Sequence, residues 1–332
     1  MSHSTSIPCS LHETTRVTRL DESTYSAHLS PAYCIGTVPN GGYVASIFLH
    51  AAKAYMAARG QPDALAVHWQ FLGRTRAGPA VIRIAEAKTG RAVSVLHMTL
   101  HQSRDSSSAG RSRMGGASQG PEVAAYVTHG NMDAETGITL PTGWHLPEPP
   151  APADLAGLPS GRDPSWERLH THLTRRLPML NNLEYYTLRA GHLRPAAQHL
   201  WIRLARGGDV FTDSALGFVV DAVAAMLVDA YRPPTRDAPV LAPGGFSHAK
   251  ALWYPTVTMS LEVKKRLPPE GAEWLRLYAW ARVIRNGRYD AQLLVFDRHG
   301  DLVASSSQLA LAVDLERNYA NRGEPPDGKS KI

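Results

Sequence analysis

The stretch Ser214–Tyr231 (SALGFVVDAVAAMLVDAY) most constrains how this chain folds, because apolar residues surround its helical axis almost completely. A helix that is apolar on all sides has to be wrapped by other structure. Asp221 lies in its middle, where an unpaired carboxylate is costly to desolvate. Its neighbours one turn away include the small residues Gly217 and Ala225. The pattern predicts one long buried helix, with Asp221 at a cleft edge, on a narrow exposed stripe, or bonded to a strand backbone.

A second apolar helix is predicted at Tyr43–Arg59, closed by Gly60. The run Pro39-Asn40-Gly41-Gly42 directly before it marks a tight turn into the helix. Glycines at a helix start leave amide N–H groups open to an approaching oxygen or anion. These glycines either bind such a group or simply fit the turn, and the sequence leaves both interpretations open.

Runs typical of strands follow each helix and also precede the second one. They are Ala64–Leu72, Ala80–Lys88, Arg91–Gln102, Glu122–Asn131, Leu183–Arg189, Gln198–Ala205, Pro255–Lys265, Glu273–Ile284, Gly287–Asp297 and Leu302–Asp314. A long helix followed by consecutive antiparallel strands, twice over, is not a dinucleotide-binding pattern. It predicts an α+β fold in which a sheet curls around its own helix, duplicated in one chain.

The predicted boundaries follow from composition. They are a disordered start at 1–13, a first half at 14–131 with a mobile Ser/Gly-rich loop at 103–120, a Pro-rich linker at 132–182, a second half at 183–318, and a flexible tail at 319–332.

Composition excludes several functional classes. The net charge of +6 comes mostly from scattered Arg, which does not make a nucleic-acid footprint. Two cysteines form no disulfide framework, and we expect no signal peptide, membrane span, metal site or cofactor. The last three residues, Ser330-Lys331-Ile332, differ by one residue from a peroxisomal address, so we predict a cytoplasmic or peroxisomal protein.

Several residues carry a resemblance to the type II acyl-CoA thioesterase family and its fungal thioesterase-like relatives. Asp221 falls in the central helix where that family places a catalytic Asp, and Gln308 follows a Val-Ala-Ser run, as the family's catalytic Gln does. Thr258 has the family's spacing from Glu273-Trp274-Leu275, and the Asn40–Tyr43 turn is similar to the family's first half.

The resemblance implies a double hotdog fold and hydrolysis of an acyl thioester, either acyl-CoA or a carrier-bound acyl group, in fatty-acyl or polyketide metabolism. It implies Asp221, Thr258 and Gln308 as the groups that orient and activate water. Gly41, Gly42 and Tyr43 are then expected to bind substrate. Because hotdog proteins commonly pair, a homo-oligomer is also expected.

Some positions depart from the family pattern. The Asp-His pair that follows the Thr in many members is absent, the run here being Met259-Ser260-Leu261, and Leu309 replaces a Glu after the Gln. Strand alternation places Thr258 on the polar face, unless a bulge or packing on the other half intervenes. These departures favour an alternative, a hotdog protein that binds an acyl or polyketide ligand without hydrolysing it, or a dehydratase or cyclising enzyme. Asp63 and His68 have a hydratase-like separation but lack the Asn-Pro between them, which disfavours hydratase chemistry.

Overall fold

The computed structural model describes residues 9–103, 120–192 and 194–319, and most of its strands form one continuous antiparallel sheet. The predicted mobile loop and the Ser330-Lys331-Ile332 motif fall almost wholly or wholly outside these residues. No helix in the described ranges is long and apolar enough to cross a membrane.

The first half of the chain contains the long helix α2 (Gly41–Met56) and the strands on one side of the large sheet. Its elements are α1 Leu11–Thr14, β1 Val17–Arg19, β2 Thr24–Leu29, β3 Cys34–Ile35, β4 Val38–Pro39, α2 Gly41–Met56, β5 Asp63–Phe71, β6 Gly78–Lys88, β7 Ser94–His101 and β8 Val123–Gly130. The strand order in this half is β1-β2-β6-β7-β8-β5.

The second half repeats the arrangement with more strands. Its elements are β9 Trp166–Arg168, α3 His172–Arg176, β10 Leu183–Leu188, β11 Ala197–Leu204, α4 Leu216–Asp221, α5 Ala224–Asp229, β12 Leu252–Trp253, β13 Thr256–Val263, β14 Leu275–Trp280, β15 Ile284–Arg285, β16 Arg288–Phe296, β17 Leu302–Leu311, β18 Val313–Asp314 and α6 Glu316–Tyr319. Short 3-10 turns lie at Pro31–Tyr33, Ala57–Arg59, Met132–Ala134, Leu158–Ser160, Pro178–Asn182 and Asp213–Ala215.

The two halves join where β5 pairs with β13, so the sheet continues from one half into the other. The order on the second side is β13-β17-β16-β14-β11-β10-β9, again antiparallel. Alternate strand residues, such as Leu96, Met98 and Leu100 of β7, pack with α2, α4 and α5 in one hydrophobic core. The predicted pattern of helix and antiparallel strands, twice over, is confirmed.

The helices α2 and α4 cross at glycines. A Cβ atom added to Gly42 would lie 2.6 Å from the main-chain oxygen of Gly217, and one added to Gly217 would lie 2.7 Å from the main-chain nitrogen of Ser46. Contacts this close leave no room for any larger residue. The glycines therefore set the distance between the two halves at their centre.

The prediction of a single helix over Ser214–Tyr231 is wrong. A 3-10 turn starts the segment, α4 ends at Asp221, and α5 begins only at Ala224. Val223 has φ −122° and ψ −6°, outside the helical range. At the break, the side chain of Gln308 supplies a donor, because its Nε2 donates to Val220 O at 2.6 Å. Hydrophobicity alone predicted the burial of this segment but not the interruption.

The segments outside the two halves are more structured than composition indicates. Within the predicted disordered start, Leu11 is buried in the core as part of α1. The Pro-rich linker contains β9, which pairs with β10 at the sheet edge, and then α3. Trp166 of β9 is fully buried against Tyr186 and Trp274, which fixes this part of the linker on the second half.

The helix crossing generates a stability prediction. We expect Gly217→Ala to lower the free energy of unfolding by about 1–3 kcal/mol, because the new methyl group meets the α2 backbone rather than a flexible side chain. Urea unfolding measures this change. Gly207→Ala is the matched control, since a Cβ there meets nothing within 4 Å. Equal effects of the two substitutions would contradict the proposed tight crossing.

Candidate active site

The site centres on the Asp221 carboxylate at the end of α4, which is 8% exposed. One oxygen, Oδ2, accepts hydrogen bonds from Asn40 Nδ2 and from the Gly42 main-chain N–H, each at 2.8 Å. The other, Oδ1, accepts from the Thr256 hydroxyl at 2.8 Å. Groups from both halves of the chain therefore hold this one side chain.

The start of α2 is built to receive a carboxylate. Asn40 is the N-cap residue, and its Oδ1 accepts the Tyr43 N–H at 2.9 Å while its Nδ2 turns to Asp221. First-turn amides lack partners within their own helix, and the helix dipole favours negative charge at that end. Asn40 was not among the predicted site residues, although its position before two glycines is a typical N-cap signal.

A β-bulge decides which threonine reaches the carboxylate. The pairing of β13 with β17 shifts between Thr256 and Thr258, which inserts Val257 as an extra residue. Beyond the bulge, Met259 and Leu261 are fully buried, so Thr258 lies on the opposite face of the strand. The structure thus brings Thr256 to Asp221 and does not bring Thr258 there. The threonine that contacts Asp221 therefore lies two residues before Thr258, the residue that family spacing implies.

Gln308 lies on the buried face of β17 and is 4% exposed. Its Nε2 donates to the carbonyl of Val220, the residue before Asp221. Its Oε1 has no hydrogen-bond partner among the described residues. The structure therefore places the predicted Gln against the last turn of α4, beside the carboxylate-bearing residue.

The predicted substrate-binding residues have different environments. Gly41 lines the cleft beside Asp221, and the Gly42 N–H is already taken by the carboxylate. Tyr43 is fully buried, stacks on Tyr33 at 4.5 Å, and donates its hydroxyl to Thr14 O at 2.8 Å. It packs in the hydrophobic core and is not among the residues that line the cleft.

The cleft in front of Asp221 has a cavity volume of about 240 Å³. Its walls are mostly apolar and aromatic and come from both halves, namely Ile35, Val38, Pro39, Val44, Phe71, Leu72, Trp253, Tyr254, Pro255 and Val257. Arg74 also lines it, with its guanidinium 5.3 Å from the centre of the Trp253 ring. Asp221 and Thr256 are polar groups in its lining, so a bound ligand meets them.

Burial raises the pKa of Asp221 above its ordinary value of 3.8, and the hydrogen bonds from Gly42, Thr256 and Asn40 partly oppose that rise. A carboxylate offers about four acceptor positions. Three are occupied here, two on Oδ2 and one on Oδ1. The arrangement leaves one position, on Oδ1, for a further donor. A buried carboxylate of raised pKa with one open acceptor position is suited to accept a proton from a bound water.

The first half has positions equivalent to Asp221, Thr256 and Gln308, but they carry different side chains. The Gly42 N–H of α2 donates to Asp221 in α4, and in return the Phe218 N–H of α4 donates to Ser46 Oγ in α2 at 2.9 Å. Ser46 is therefore the equivalent of Asp221 in the first half. The β5 bulge after Ala64 matches the bulge after Thr256, and the corresponding register sets Val127 at the place of Gln308. Ser, Ala and Val thus stand where the second half has Asp, Thr and Gln.

An ion pair lies beside that equivalent place. Arg266 Nε donates to Asp63 Oδ1 at 2.7 Å, and the adjoining cavity measures only about 20 Å³. Because Asp63 is bound to Arg266 and His68 is exposed, these two residues do not form the hydratase-type pair. In the described ranges, no three His, Cys, Asp or Glu side chains are grouped to hold a metal ion.

Comparison with known proteins agrees with this geometry. Residues 29–130 match the model of the acyl-CoA thioesterase N-terminal domain, and residues 147–312 match that of the acyl-CoA thioesterase C-terminal domain. This chain belongs to the acyl-CoA thioesterase family. A thioesterase-like protein, TwmA, from Talaromyces wortmannii is 35% identical to it over 93% of this chain and 94% of the relative.

Solved structures show the fold of this acyl-CoA thioesterase family member. A putative thioesterase II from Thermobifida fusca superimposes with a TM-score of 0.65 at 22% identity, over 92% of this chain and 98% of that one. A hot dog fold protein of unknown function from Alicyclobacillus acidocaldarius gives a TM-score of 0.62 at 20% identity, over 91% and 97% of the two chains. The predicted α+β double hotdog is confirmed.

The raised pKa of Asp221 gives a stability prediction with a definite sign. Below the ordinary carboxyl pKa both the folded and the unfolded state are protonated, and as pH rises through the raised folded pKa the folded state loses stability relative to the unfolded one. Each unit of pKa difference corresponds to about 1.4 kcal/mol. Asp221→Asn does not titrate, and Thr256 can accept from its amide, so the variant should gain stability relative to wild type as pH rises.

Urea unfolding of both proteins from pH 4 to pH 7 checks this expectation. A stability difference that stays constant across the range would show that Asp221 has the same pKa in the folded and unfolded states.

Proposed function

We propose that this protein hydrolyses acyl thioesters with a water molecule activated by Asp221. The observation that carries the proposal is the single open acceptor position on Asp221 Oδ1, at the inner wall of an apolar cleft. Three neutral donors fix the carboxylate. A base held in this way keeps its affinity for a proton while its orientation is fixed.

The reaction balances with these groups alone. The water oxygen attacks the thioester carbonyl carbon while Asp221 takes one water proton; the C–S bond then breaks, and the thiolate recovers that proton. A thiolate is a good leaving group, so no separate strong acid is needed. A positioned general base contributes about 10²–10⁴-fold in rate. Thr256 and Gln308 serve to orient Asp221 and the water.

The developing oxyanion needs a donor, and the Gly41 N–H is the group we assign. Gly42 N–H and Tyr43 N–H are taken by Asp221 and Asn40. Gly41 lines the cleft, and as the first residue of α2 its N–H makes no hydrogen bond within the described residues. An amide at a helix N-terminus that faces a ligand is well placed to stabilise negative charge.

The acyl donor we propose is acyl-CoA or a carrier-bound acyl group. The apolar and aromatic cleft walls suit the acyl portion of the substrate. The family to which the chain belongs is named for the hydrolysis of acyl-CoA. A role in secondary metabolism rests on the resemblance to fungal thioesterase-like proteins and remains a prediction, as do localisation and a homo-oligomer.

A second candidate is an acyl or polyketide ligand-binding protein without hydrolytic activity. The run Met259-Ser260-Leu261 lacks the Asp-His pair of the family pattern and Leu309 replaces its Glu, which favours this alternative. Both candidates use the same cleft, so the presence or absence of turnover separates them.

The first test is release of free thiol from a panel of short to long acyl-CoAs by wild type and Asp221→Asn. We expect a loss of about 10²–10⁴-fold in kcat for the variant, with circular dichroism showing that it remains folded. Binding of acyl-CoA without thiol release by the wild type would favour the ligand-binding alternative.

The second test compares two threonines two residues apart. Thr256→Val removes the donor to Asp221 Oδ1, and we expect kcat to fall at least about tenfold. Thr258→Val alters a neighbouring strand position on the opposite face, and we expect it to retain activity. The reverse result would restore the residue that family spacing indicates and would contradict the role of the bulge.

The third test concerns the carboxamide. Gln308→Leu keeps the volume of the side chain but removes both its donor to Val220 O and its free oxygen. We expect kcat to fall at least about tenfold, since an orienting group for the water is lost. Steady-state kinetics with the acyl-CoA that the wild type hydrolyses fastest measures this loss. An unchanged kcat would show that Gln308 has only a structural role, through its hydrogen bond to Val220 O at the helix break.

A further inference from the structure

Three buried polar atoms on β16 and β17 have no hydrogen-bond partner among the described residues. They are the Tyr289 hydroxyl, Ser306 Oγ and Gln308 Oε1. The three residues are 1%, 6% and 4% exposed. Folded proteins leave few such atoms unpaired, and a group of them on adjacent strands calls for an explanation.

The sheet register places Tyr289 on the face that carries the site. Thr256 of β13 is opposite Ala310 of β17, and Ala310 is opposite Tyr289 of β16. Residues directly opposite in an antiparallel sheet project to the same face. Since Thr256 donates to Asp221, Tyr289 projects toward the same side, and the small Ala310 between them leaves space above the sheet.

Burial, together with nearby acidic groups, raises the pKa of Tyr289 and keeps its hydroxyl protonated. Burial raises the pKa of Tyr289 well above its ordinary value, and the nearby Asp221 and Tyr254 add to that rise. The Tyr254 hydroxyl lies 3.4 Å from Asp229 Oδ1, and the Asp229 carboxylate forms an ion pair with Arg232. Tyr289 is therefore available as an O–H donor near Asp221 throughout the neutral range.

We propose that Tyr289 is a further catalytic residue of this site, whose O–H donates to the water that Asp221 and Gln308 also bind. The inference rests on the proposed thioester hydrolysis. The water donates one hydrogen to Asp221 Oδ1 and the other to Gln308 Oε1, and accepts one hydrogen bond from Tyr289. A water with these three partners has one lone pair left, which is the one that attacks the thioester carbon.

This arrangement also gives a partner to two of the three orphaned atoms, the Tyr289 hydroxyl and Gln308 Oε1. A buried water typically makes about three hydrogen bonds to polar groups that would otherwise lack partners. The open acceptor position of Asp221, the free oxygen of Gln308 and the free hydroxyl of Tyr289 supply that number. Tyr289 was not predicted from the sequence, where it stands as an ordinary aromatic residue of a strand.

The test is Tyr289→Phe, which removes the hydroxyl and keeps the ring. We expect kcat for thioester hydrolysis to fall at least about tenfold with KM little changed, because the lost donor acts on the water rather than on the substrate. Thermal stability should not fall, since the removed hydroxyl makes no hydrogen bond to the described residues.

Tyr186→Phe is the matched control. Tyr186 of β10 is also fully buried, but its hydroxyl donates to Glu184 Oε2 at 2.7 Å. Its ring packs with Trp166 and Trp274, away from the cleft. We expect this variant to keep its kcat. An unchanged kcat in Tyr289→Phe, or equal losses in the two variants, overturns the proposal.

A crystal structure of the wild type supplies a readout that does not depend on turnover. A water within hydrogen-bond distance of Tyr289, Gln308 and Asp221, displaced in Tyr289→Phe, supports the assignment even if no thioester is hydrolysed and the proposed function fails. No ordered water at that position in the wild type overturns the assignment, whatever the outcome of the hydrolysis assay.

Discussion

The carboxylate of Asp221 caps the first turn of α2, the helix of the other half, and the rest of the site depends on that interaction. A carboxylate at a helix N-terminus meets unpaired amides and the positive end of the helix dipole, which lowers the cost of burying it. The crossing at Gly42 and Gly217 brings the two helices near enough for the contact. Asn40 then serves both sides, capping its own helix and donating to the carboxylate.

Much of the fold could be predicted from sequence because its signals are local and repeated. The alternation of β7 and the apolar runs of β16 and β17 correspond to the observed strands, and the turn at Asn40-Gly41-Gly42 does precede the long helix. The charge of Asp221 inside an apolar segment identified the residue around which the polar contacts gather. These features need no knowledge of distant contacts.

The remaining features depend on tertiary structure. A bulge at Val257 changes which threonine faces the core, and no residue type in Thr256–Thr258 reveals it. At the break between α4 and α5, a glutamine from a distant strand donates to Val220 O, a contact that local sequence does not show. Tyr43 looked like a cleft residue beside two glycines, but its hydroxyl reaches Thr14 and Ser30 inside the first half.

The two halves carry different residues at structurally equivalent positions. In a symmetric pair of identical chains, every substitution appears twice, so a site shared between the chains occurs in two copies or in none. Covalent linkage removes that constraint. Here Ser46, Ala64 and Val127 replace the polar set at one place, and Arg266 with Asp63 joins the halves beside it. One of the two equivalent places thus holds an ion pair between the halves, and covalent linkage keeps each half at a high effective concentration for the other at the single polar site.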